Sequence, residues 1–183
     1  GGIIEGNLGA ANVDVNLDAV HGNFNGTTSM INAGSPTMFD DIFAGAATLT
    51  FWIYPRTVGQ NSSGRVLDKN QFEIYTHAES GGFCRISFIQ KFSTTNGHWR
   101  FTDRVVPLNH WSHIAIVYDG SSTSNDPVMY INGIAQTITE AGTPDGSRTS
   151  DASDDLIIGN RAIGGRTFDG YIADVKIYKA AGL

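Results

Sequence analysis

Trp111-Ser-His-Ile-Ala-Ile-Val-Tyr-Asp-Gly120, followed by Val128-Met-Tyr-Ile-Asn-Gly-Ile-Ala135, decides the fold. The first stretch reads as a buried strand and the second as a tight hairpin. Asn132-Gly133 between two apolar runs supplies the two positive-φ residues that a type I′ turn needs. The segment holds no nucleophile, base or ligand cluster. It therefore speaks for an antiparallel β-sandwich whose function sits on its faces and loops.

Working outward, Thr48 to Tyr54 alternates strictly, with Leu49, Phe51 and Ile53 on one face and Thr50, Trp52 and Tyr54 on the other. Pro55 ends that strand because it cannot donate to a ladder. Further strands are expected at Arg65 to Asp68, Gln71 to Thr76, Phe83 to Gln90 and Trp99 to Phe101, with Leu156 to Gly159 and Gly170 to Tyr178 closing the sheets. His21 to Gly26 reads as a turn-rich entry. Thr143 to Asp155, almost without apolar residues, reads as a long solvated loop. Strand signals at intervals of about 8–12 residues suggest an all-β, two-sheet antiparallel sandwich or jelly roll.

Composition agrees. The 183 residues suffice for one core, and 22 glycines with 16% charged residues favour tight turns between short strands over helices. A net charge of −6 with scattered Lys and Arg counts against a nucleic-acid surface. No apolar run approaches the roughly 20 residues that span a bilayer, so membrane insertion is not expected. Cys84 is alone, which excludes an internal disulfide and reads as a buried, inert thiol. From its Gly-Gly start the chain is expected to be a processed product or an excised module. Residues 1–20, small and weakly alternating, read as an N-terminal arm or edge strand through which the chain could form a homo-oligomer or larger assembly.

Phe24-Asn-Gly26, Leu49-Thr-Phe-Trp-Ile-Tyr-Pro55, Trp111 to Gly120, Tyr130-Ile-Asn-Gly133, Leu156-Ile-Ile-Gly159 and Phe168 to Tyr178 stand in order from about residue 20 to the end. In these blocks residues 21–183 resemble a laminin-G-like domain of the concanavalin A-like lectin/glucanase superfamily. The resemblance implies a jelly roll of two curved sheets, often with one structural calcium ion, and often used to hold carbohydrate or protein. The family commonly carries an acidic pair in the last strand, where this sequence has Ala173-Asp174. By that analogy Asp174 faces the Phe24-Asn-Gly26 entry, which makes Asp174, Asn25 and Gly26 the expected calcium site, with backbone carbonyls completing an oxygen shell.

Retaining glycosidases need two carboxylates about 5 Å apart. None of Glu5, Glu73, Glu79 and Glu140 is followed two residues on by a second carboxylate, so the chain is not expected to be an enzyme. Asp145, Asp151, Asp154 and Asp155 crowd one loop, where turn chemistry explains them more simply than a metal. The expected carbohydrate site is Trp99 with His98, Asn96 and Tyr75, an aromatic face beside polar donors. Trp52 and Trp111 fall in framework blocks. The leading function is a non-catalytic module recognising a cell-surface or extracellular glycan. The alternative is a structural or adhesion subunit, for example of a bacteriophage virion, fibre or decoration.

Overall fold

The computed structural model describes residues 21–179. In chain order the strands are β1 (Gly22–Asn25), β2 (Ile31–Asn32), β3 (Ala46–Pro55), β4 (Gly64–Asp68), β5 (Phe72–Ser80), β6 (Phe83–Gln90) and β7 (Gly97–Phe101), then β8 (Val106–Pro107), β9 (Ser112–Asp119), β10 (Val128–Ile131), β11 (Ile134–Ala135), β12 (Ile138–Gly142), β13 (Ile157–Ile158) and β14 (Asp169–Lys179). They form a six-stranded minor sheet, β1-β14-β3-β9-β10-β11, and an eight-stranded major sheet, β12-β7-β6-β5-β4-β13-β2 with β8 beside β6. The ladders between these strands are antiparallel. The expected N-terminal arm lies outside the described residues.

The hairpin at Asn132-Gly133 forms as the sequence implies, with φ of 50° and 78° at its two residues. In β3, Leu49, Phe51 and Ile53 turn inward and are fully buried, facing Phe72 and Ile74 of β5 and Ile86 and Phe88 of β6 across the sandwich. Phe43 anchors the middle, edge-on to Phe72 at 5.2 Å. Cys84 is buried in the same core, and burial pushes its thiol up to about 12, so it is inert as expected.

Three expectations change. Trp99, read as an exposed sugar platform, is 0% exposed. Its ring stacks on Phe88 at 5.7 Å, and its indole N–H donates to Asp126 Oδ1 at 2.7 Å. Gly97 makes room for it, since a Cβ there would lie 2.1 Å from the ring. The turn-rich entry at residue 22 is strand β1 on the edge of β14. The loop Thr143 to Asp155 is not merely solvated, because Asp151 is fully buried in an ion pair with Lys69.

Trp99→Ala should therefore destabilise the domain by about 3–5 kcal/mol, the ordinary cost of removing a large core aromatic. Urea unfolding followed by circular dichroism measures it, and a wild-type midpoint in the variant would return Trp99 to the surface.

Candidate functional site

On β5 the side chains alternate: Phe72, Ile74 and Thr76 point to the core, so Glu73, Tyr75 and His77 stand on the outer face of the major sheet. Register fills in their neighbours. Tyr75 lies opposite Ser87, His77 opposite Arg85 and Glu73 opposite Ile89 on β6; Ser87 and Ile89 in turn lie opposite Arg100 and His98 on β7. The result is a polar patch three strands wide. Tyr75 Oη lies 3.2 Å from His98 Nε2, and Ser87 Oγ lies 2.8 Å from His77 Nε2 and 3.4 Å from His98 Nε2.

One end of this patch deepens into a cleft of about 420 Å³ lined by Arg65, Asp68, Asn70, Glu73, Lys91 and Arg161, with Asp154 and Asp155 on its loop wall. A β-bulge between Arg65 and Leu67 builds that end. In a regular strand residues three apart face opposite ways, so Arg65 and Asp68 could not share a face. The bulge turns both Val66 and Leu67 into the core and leaves Arg65 and Asp68 outside together. Arg65 then bridges two carboxylates. Its Nε lies 3.4 Å from Asp68 Oδ2, its Nη2 pairs with Glu73 Oε2, and its guanidinium covers the Tyr75 ring at 4.5 Å. No single strand encodes this cross-strand triad, since Asp68 and Glu73 meet across two.

Electrostatics fix what these groups can do. Burial, reinforced by the charges of Arg100 and Arg85, pushes His77 down to about 4, and burial also lowers His98. Both imidazoles are thus neutral near pH 7, each with one donor and one acceptor. Burial raises the Tyr75 phenol, which stays protonated. Tyr75, His77 and His98, linked through the fully buried Ser87, therefore form a run of groups that both donate and accept, as sugar hydroxyls do. Asp68 and Glu73 are raised by burial despite the opposing pull of Arg65.

Of the expected carbohydrate residues, the structure joins Tyr75 and His98 and removes Trp99 to the core. Asn96 lies in the exposed turn before β7, its Oδ1 accepting from the Phe92 N–H at 3.3 Å. The expected calcium ligands do not fit that ion. Asn25 pairs with Asp169, five positions along β14 from Asp174, and Asp169 is also the neighbour of Gly26. Asn25 Oδ1 already accepts from the N–H groups of Thr27, Thr28 and Ser29. Asp174 sits at a bulge with φ of 50° and accepts from Lys176 Nζ at 2.6 Å. Among the described residues no three His, Cys, Asp or Glu side chains converge on a metal position. The loop aspartates also have protein partners: Asp154 accepts from Asn70 and Gln71, and Asp155 from Asn32.

Folded His77 holds a proton less tightly than the unfolded chain, so between about 4 and 6.5 the unfolded state binds more protons. The stability this contributes is complete above the unfolded value and lost as pH falls toward about 4. Asp68 and Glu73 act oppositely in the carboxylate range, so the comparison must be with a variant. His77→Gln should show a shallower fall of Tm across that window than wild type. An equally steep fall in the variant would refute the burial of a neutral imidazole.

The family model that matches the chain is of laminin G type, described as the Concanavalin A-like lectin/glucanases superfamily, and covers residues 25–182. No curated protein matches the chain. Among solved structures, a heptameric SAP-like pentraxin from Limulus polyphemus superposes with a TM-score of 0.60 at 17% identity, over 88% of this chain and 76% of that one. Domain 4 of an extracellular arabinanase from Geobacillus stearothermophilus, in complex with arabinotriose, gives 0.59 at 18% identity over 89% and 72%. The CBM40 domain of the Ruminococcus gnavus IT-sialidase, bound to α2,3 sialyllactose, gives 0.55 at 12% identity over 76% and 78%. At these identities the likeness is one of fold. With the family match spanning most of its length and the two-sheet architecture in agreement, the chain belongs to the laminin G-type branch of the concanavalin A-like lectin/glucanase superfamily.

Proposed function

We propose that the chain is a non-catalytic carbohydrate-binding module that holds an extracellular or cell-surface glycan across the outer face of the major sheet. The observation that carries this reading is the run of Tyr75, His98 and His77, joined from beneath by the buried Ser87, whose neutral groups both donate and accept. Such groups exchange hydrogen bonds with hydroxyls without the desolvation cost of a charge. Glu73 to His77 spans about 13 Å at the rise of a strand, room for a short oligosaccharide rather than one ring. The Tyr75 ring, half-buried under Arg65, offers an edge for sugar C–H groups. Neighbours of the same fold that hold arabinotriose and sialyllactose lend support at the level of architecture.

Catalysis is not part of this reading. The two carboxylates nearest the patch, Asp68 and Glu73, share the Arg65 guanidinium, which occupies the acceptors that a nucleophile and a general acid would need free. They serve better as fixed acceptors at the cleft end. The alternative of a structural or adhesion subunit, such as a phage fibre component, draws on residues 1–20, and no observation on the sandwich favours it. Among the described residues no helix is long and apolar enough to cross a membrane.

A glycan array screened with the whole domain should yield a ligand, and Tyr75→Phe and His98→Ala should each weaken it by roughly 1 kcal/mol, the net worth of one hydrogen bond. Calorimetry reads the affinity and thermal melting checks the fold. Absence of any glycan ligand, or full affinity in both variants, would overturn the assignment.

A further inference from the structure

Beyond the Tyr75–His77 end of the polar patch, three arginines gather on an acidic protein. Arg85 lies opposite His77, and Arg100 lies opposite Ser87 on the next strand. Arg104 reaches back from the loop after β7 to donate through its Nε to the Ala78 carbonyl. None of the three joins the ion pairs found among the described residues, which engage Arg56, Arg65, Lys69, Arg148 and Lys176. Asp103, next to Arg104 in the chain, and Glu79, near the end of β5, form no ion pair with any of them. Arg85 spends one Nη2 hydrogen on the Thr102 carbonyl at 2.7 Å, while its Nε is buried with no acceptor. Arg100 stands between Ser87 and Thr139 in the sheet, and its side chain joins no ion pair among the described residues. The charge of all three is also felt at His77.

Like charges brought together on neighbouring strands repel, so a fold gains nothing by this arrangement unless something else supplies anionic acceptors. Guanidinium forks match planar, anionic oxygen pairs and bind them bidentately. We infer that Arg85, Arg100 and Arg104 receive the acidic substituent of an anionic saccharide, a carboxylate or a sulfate ester, whose ring hydroxyls lie along Tyr75 and His98. This rests on the carbohydrate-binding reading above and narrows it to one class of glycan. An extended basic stripe of the kind that tracks nucleic-acid phosphates is not present on this face, where Glu73 and Asp68 hold the other end.

The test uses the full chain and four polymers: polygalacturonate, neutral galactan, dextran and dextran sulfate, with affinity electrophoresis and calorimetry at low and physiological salt. Polygalacturonate should bind, and Arg100→Gln and Arg104→Gln should each weaken it by about 10–100-fold, the range of one charge-assisted hydrogen-bond pair. Their melting temperatures should stay close to wild type, since neither side chain packs in the core. Arg166→Gln, in the loop between β13 and β14 and outside the arginine group, should leave binding unchanged. Dextran sulfate bound in place of polygalacturonate, with the same loss in Arg100→Gln, would support the inference and name the sulfate as the anion. Neutral galactan or dextran bound tightly, and equally by Arg100→Gln, would overturn it while leaving the carbohydrate-binding reading intact. Equal losses in Arg166→Gln and Arg100→Gln would mean diffuse charge attraction and overturn it too. Binding of none of the four, nor of any array glycan, would bring down both.

Discussion

The buried pair of Lys69 and Asp151 is the constraint on which the rest of the site depends. Lys69 is fully buried at the tip of the β4–β5 hairpin; its Nζ lies 3.1 Å from Asp151 Oδ1 and donates also to the Asp151 carbonyl. The same carboxylate oxygen accepts from the Asp41 N–H at 2.6 Å, while Asp41 accepts from Arg148 at 2.6 Å. A buried pair of this kind adds little net stability, yet removing one partner leaves a charge in a dry interior at a cost of about 3–5 kcal/mol. The pair therefore acts as a positional lock. It pins an otherwise apolar-poor loop against the hairpin, and that loop supplies Asp154 and Asp155 to the cleft wall. Asn70 and Gln71 complete the joint by donating to Asp154.

A second constraint is the register error built into β4. Sandwich strands divide labour by parity, one face for the core and the other for solvent, and a strand that keeps perfect parity can place charges only at alternate positions. The bulge at Val66 breaks parity once, gains an extra apolar side chain for the core and sets Arg65 and Asp68 side by side on the outside. The fold and the site are coupled at this single residue. Straightening the strand would send Arg65 or Asp68 inward, where an unpaired charge is far costlier than the lost contact.

How much of this was legible follows from which signals are local. The alternation of Leu49, Phe51 and Ile53, the Asn132-Gly133 turn and the run closing at β14 are each contained in one stretch of chain, and the strands appear there. Trp99 departs from the expectation although its signal is equally local: it shares parity with Phe101, a core residue, and its polar neighbours His98 and Arg100 share the opposite parity. The turn before it suggests the outer face, whereas its partner two positions on fixes the inner one. The Asp68–Arg65–Glu73 triad and the proximity of Tyr75 to His98 depend on register between strands, which no single stretch encodes. Asp174 was displaced by a bulge for which the sequence offers no Gly or Pro signal, only a non-glycine residue at positive φ.

The arrangement of charge on the major sheet is what makes its two ends complementary. At the cleft end Arg65 is neutralised twice, so the acceptors there are fixed and their surroundings close to neutral. At the far end the guanidiniums join no ion pair among the described residues, and their positive field adds to burial in favouring the uncharged form of His77. A protonated imidazole at that point would add a further positive charge and lose its acceptor. Kept neutral by burial and by those arginines, it remains a two-way partner for Ser87, and Ser87 for His98. The unpaired arginines therefore act twice, as an anion site in themselves and as the field that keeps the neighbouring hydrogen-bonding run uncharged. A saccharide whose acid group met the arginines would meet neutral groups along the rest of its length.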